Sequence, residues 1–150
     1  MATEAAQHAA LTLTDHLPLL QILVPFFAAP LIVVLGSRRL AWPIALASSI
    51  ASLTIAWLLL MNVLDGSTLS YHIGGWAPPL GIEYRVDAAN AFVLLLVAAI
   101  STVVLLFARD SVADEVPARS HALFYAAYLL CFSGLMGVAI TGDAFNLFVF

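Results

Sequence analysis

The chain has 150 residues, of which 63% are hydrophobic and 9% charged; a soluble domain carries about 25% charged residues, so an ordinary water-soluble fold is excluded. Nine acids against five arginines, with no lysine, give a formal charge of -4, and the lack of a basic block excludes nucleic acid as a partner. The single cysteine, Cys131, lies in an apolar run and forms neither an internal disulfide nor a zinc site by itself, so it is expected to pack.

Residues 1–16 hold Glu4, His8, Asp15 and His16 without arginine or lysine. A secretory signal begins with a positive region, so this stretch reads as a polar tail leading into a retained helix. Residues 17–35 are free of charge and about long enough to cross a hydrocarbon core of about 30 Å. Pro25 and Pro30 inside that run each remove a backbone donor and bend the helix, and in lipid the freed carbonyls need partners from neighbouring helices or water. Gly36, Ser37, Arg38 and Arg39 form a short cationic loop.

The second run, 41–64, places Ala45, Ser48, Ser49, Ser52 and Ala56 at steps of three and four. Such a small-residue face lets helices approach closely in lipid, so a helix–helix contact is expected there. Between Asp65 and Asp87, the alternating segments 69–73 and 82–86 flank a turn region containing Gly74, Gly75, Trp76, Pro78 and Gly81, which is the pattern of a β-hairpin. Trp76 and the tyrosines suit the headgroup level. His72 has no sequence partner that would make it a metal ligand.

Asp87 immediately precedes the third run, 88–108, and is expected to cap its helix. Residues 109–121 read as a polar loop, broken by Pro117. In the fourth run, 122–140, Ser133 and Gly137 lead at four-residue steps to Thr141, a second close-packing face. Residues 141–150 then place Asp143 and Asn146 at the head of a fifth apolar segment, and the sequence stops without a helix-ending signal. The expectation is the N-terminal part of a larger membrane protein, or a subunit whose bundle is completed by partners.

The predicted fold class is therefore an all-α polytopic membrane protein. It has a tail over 1–16, a transmembrane portion over 17–150 with four helices and the start of a fifth, and an outer hairpin over 69–86. Arg38, Arg39, Arg109 and Arg119 lie on one side and Arg85 on the other. The positive-inside rule makes the first side cytoplasmic, which places the N-terminus, the hairpin and Asp143 outside.

None of the four complete runs contains Asp, Glu, Lys, Arg or His, although ion paths through membranes use ionisable groups or water-lined polar chains. No nucleophile–base pair, phosphate loop, cofactor motif or metal-ligand cluster is visible. Asp143 is either a helix cap or a negative site near the mouth of an ion path, and the two roles are compatible.

The hairpin sequence from Tyr71 through Gly74, Gly75 and Trp76 to Asp87, together with the stretch from Thr141 to Phe150, resembles the antiporter-like family. That family contains the large membrane subunits of respiratory complex I and the D subunit of Mrp-type cation/proton antiporters, with kin in membrane-bound hydrogenases. The resemblance implies a bacterial inner-membrane subunit working with other membrane subunits in a complex that moves protons and, in some members, sodium. It also allows membership of an NADH:quinone oxidoreductase-like assembly. It gives the hairpin a coupling role and puts Asp143 at the head of the fifth helix, while the family's proton-handling glutamate and lysine match no residue of this sequence. A non-conducting structural subunit is the alternative.

Overall fold

The computed structural model describes residues 16–66, 68–72 and 83–141. Four helices, α1 (Leu17–Leu35), α2 (Arg38–Val63), α3 (Ala88–Glu115) and α4 (His121–Ile140), carry the fold, with β1 (Leu69–His72) and β2 (Glu83–Val86) between α2 and α3. All four helices are long and apolar enough to cross a bilayer. The fifth segment lies outside the described residues.

Helix α1 ends at Gly36, whose φ of 58° is left-handed and whose N–H donates to the carbonyls of Ile32 at 3.1 Å and Val33 at 3.2 Å. Glycine takes that conformation without the steric cost of a Cβ. The chain therefore reverses within two residues. Arg38 and Arg39 belong to the first turn of α2 rather than to a loop, their long stems free to carry the charges outward.

Helix α3 departs further from the sequence expectation. It continues seven residues past Ala108, and its 28 residues extend for about 42 Å. That exceeds the hydrocarbon thickness of about 30 Å, so polar residues 109–115 form a solvated helical overhang, not a loop. Pro117 still sets the limit. Val116, just before it, is extended at φ -104°, ψ 132°, as the clash with the proline ring requires.

Helix α1 packs on α2 and α4, and α3 packs on α2 and α4, while α2 and α4 also meet across the bundle. The face through Ala45, Ser48, Ser49, Ser52 and Ala56 is buried, as a small-residue contact face should be. Larger groups close the interior, among them Ile32, Leu59, Leu94, Leu105, Leu129 and Met136. Bulky apolar side chains point outward instead: Val34 is 83% and Phe107 72% exposed, which suits a surface solvated by lipid. Cys131 is exposed as well, lining a shallow groove with Val97, Ile100 and Leu135, so it faces outward rather than into the core.

The strands pair antiparallel, Leu69 with Val86 and Tyr71 with Tyr84. Alternation along β2 turns Tyr84 and Val86 inward, at 5% and 0% exposure, and leaves Arg85 exposed. Strand β2 touches α1, α3 and α4, so the hairpin is seated on one end of the bundle.

Candidate functional site

The hairpin end gathers the described residues that the sequence singled out. Asp87 is the N-cap of α3: the backbone N–H of Asn90 donates to its Oδ1 at 2.8 Å. One of the four amides left free at a helix start is thereby satisfied. Asn90 in turn donates from Nδ2 to the carbonyl of Arg85 at 3.0 Å, which ties the cap to β2. The Asp87 carboxylate is thus engaged in joining strand to helix.

Beyond the end of α4, Thr141 pairs with Tyr84 as an antiparallel bridge. Only Gly142 separates Thr141 from Asp143, so the chain leading to that acid is fastened to β2. Burial raises the Tyr84 phenol above its ordinary pKa of 10.0 because the phenolate would lose solvent, and the ring remains a neutral anchor. Asp143 and the turn residues Gly74, Gly75, Trp76, Pro78 and Gly81 lie outside the described residues.

Midway along the bundle, hydroxyls join three helices. Ser49 of α2 donates to Ser101 Oγ of α3 at 3.1 Å and lies 2.9 Å from Thr102 Oγ1. Tyr128 of α4 donates to Ser101 Oγ at 3.0 Å, and Thr102 donates to the carbonyl of Ala98 at 2.8 Å. Elsewhere Ser133 of α4 donates to the carbonyl of Ile22 at 3.1 Å, within the turn that Pro25 disturbs. Gln21 is fully buried; its Nε2 donates to Met136 Sδ at 3.4 Å, while its Oε1 has no protein partner among the described residues.

Gln21 and Tyr128 are polar groups of the interior that no sequence motif singled out. Gln21 is the lone amide of its run, and that alone was a readable signal. Tyr128 had none, because its pairing with Ser101 depends on how α3 and α4 face each other. At the opposite end Trp42 donates from Nε1 to the carbonyl of Leu105 at 2.8 Å, and the Arg109 guanidinium lies 5.0 Å from the centre of its ring. The mid-bundle polar contacts are made by neutral groups. They hold helices together and carry no fixed charge.

These features define a multi-pass helical membrane protein. No protein-family model matches the chain. It is 36% identical over 146 residues to NADH-quinone oxidoreductase subunit N of Desulforudis audaxviator, covering 92% of this chain and 28% of the relative. It is 28% identical to the D subunit of the Na(+)/H(+) antiporter of Alkalihalophilus pseudofirmus, covering 91% and 27%. Among solved structures, the Mrp complex from Dietzia sp. DQ12-45-1b aligns with a TM-score of 0.77 at 27% identity, over 93% of this chain and 25% of that one. The chain is homologous to the antiporter-like membrane subunits and corresponds to their N-terminal portion. It spans little more than a quarter of their length.

Proposed function

We propose that this chain is the N-terminal portion of an antiporter-like subunit in a multisubunit bacterial inner-membrane complex that moves protons or sodium ions. The exchange is either direct antiport or proton pumping coupled to a redox partner. The observation that carries this reading is the match across more than nine-tenths of the chain to two relatives, an NADH-quinone oxidoreductase subunit N and the D subunit of a Na(+)/H(+) antiporter. The four helices act as scaffold, the hairpin couples the subunit to its neighbours, and the hairpin end with the N-terminus faces outward. Arginine placement supports that orientation, because Arg38, Arg39, Arg109 and Arg119 fall at the opposite end.

Asp143 then biases cation access at the outer face. In the full-length complex, measured as cation/proton exchange in everted vesicles, Asp143→Asn is expected to weaken apparent cation affinity several-fold and shift the pH profile. Unchanged exchange with an unchanged profile would leave Asp143 a helix cap and remove it from the pathway. One observation favours a second reading, a non-conducting scaffold subunit. The apolar runs of the four helices contain no ionisable Asp, Glu, Lys, Arg or His, and a pathway needs such groups or a water-lined polar chain.

A further inference from the structure

The bundle end opposite the hairpin contains a basic cleft that the proposed transport role does not use. Its volume is about 580 Å³, and its walls include Arg38 and Arg39 of α2, Arg109 of α3, and His121 and Tyr125 of α4, with Trp42 between them. One wall is firmly built. The Trp42 hydrogen bond to Leu105 fixes the indole, the indole face positions Arg109, and Tyr125 donates from its hydroxyl to the carbonyl of Ala108 at 3.2 Å.

The charge in this cleft is not offset locally. Among the described residues no ion pair holds Arg38, Arg39 or Arg109; Asp110 follows Arg109 in sequence but is not part of the lining. The first turn of α2 has no acidic residue, and Ser37 makes no side-chain cap. The positive end of the helix therefore adds to the two guanidinium groups beside it. Planar guanidinium forks match the oxygens of a phosphate.

Depth selects among phosphate sources. Arg38 opens α2 directly after a two-residue reversal, and Arg109 follows the last apolar residue of the α3 run. The cleft thus sits where the spans leave the hydrocarbon, the level at which indole rings concentrate and basic pockets between helices meet lipid headgroups. We propose that this cleft holds the phosphodiester headgroup of an anionic phospholipid.

The test uses the assembled full-length complex in phosphatidylcholine nanodiscs containing acyl-brominated phosphatidylglycerol or, in parallel, equally brominated phosphatidylcholine. The Trp42 signal is the difference between wild type and Trp42→Phe. Phosphatidylglycerol is expected to quench it preferentially, with the preference falling about fivefold for each arginine removed in Arg38→Gln and Arg39→Gln. Native mass spectra, comparing phosphatidylglycerol retained by wild type and by the double variant, give a readout independent of Trp42. Equal quenching by the two lipids, or retention unchanged in the double variant, overturns the proposal. Loss of the preference on adding millimolar inorganic phosphate at constant ionic strength assigns the cleft to a soluble anion instead. A preference present in the isolated subunit but absent in the complex assigns it to an acidic protein segment.

Discussion

At the scale of single residues, Asp87 shows how a carboxylate in a membrane protein is spent on structure. Its Oδ1 accepts from the Asn90 amide, and the Asn90 side chain reaches back to Arg85. Removing a cap of this kind typically costs about 1 kcal/mol. Asp87→Ala is therefore expected to lower the melting temperature of the purified protein in detergent, whereas Asp87→Ser, which can still accept from the amide, recovers most of the loss. Equal melting of the two variants would show that charge, not the cap, is what matters at this position. The role of Asp87 was legible in the sequence because a cap is local: an acid just before an apolar run already names its partner three residues on. Gln21 lay equally open to view as a lone amide. Its contact with Met136 was not, since the two are brought together by the packing of α1 on α4.

At the scale of elements, apolar runs and small-residue spacing announced the helices, but their ends followed a different rule. Polarity from Arg109 to Glu115 suggests a loop only if helices are assumed to stop at the hydrocarbon edge. Residues above that edge are solvated and lose nothing by remaining helical, so α3 continues until proline geometry ends it. The face of α2 yields a sharper test. Ser52 is fully buried, and its hydroxyl has no protein partner among the described residues. Replacing an unpartnered polar group by an apolar one of similar shape is nearly neutral or stabilising, while adding bulk to a close-packed contact costs about 1–3 kcal/mol. Ser52→Ala is expected to match or exceed wild-type thermal stability in detergent, and Ser52→Leu to fall clearly below it. A destabilised alanine variant would mean that the hydroxyl has a function beyond allowing close approach.

At the scale of the molecule, the bundle is stitched together by interactions of two kinds, separated along its length. Mid-bundle hydroxyls couple α2, α3 and α4 through Ser49, Ser101 and Tyr128. The hairpin end is coupled through the backbone, by the Thr141–Tyr84 bridge and the buried Tyr84 ring beneath it. Sequence periodicity could indicate the hairpin and the end of α4 separately. It could not indicate that they touch, because a bridge between residues so far apart in sequence is set only when the bundle closes. If the hairpin is a mechanical link to the chain leading toward Asp143, loosening its anchor must loosen both sides together. Tyr84→Ala, followed by hydrogen exchange, is expected to speed exchange in residues 83–86 and 138–141 in concert, while residues 94–105 stay protected as in wild type. Faster exchange confined to β2 would show that the end of α4 is held by its own packing and that the bridge transmits nothing. Faster exchange throughout would instead make Tyr84 a keystone of the whole bundle. Only the concerted, local response fits a hairpin that acts as a link between otherwise stable helices.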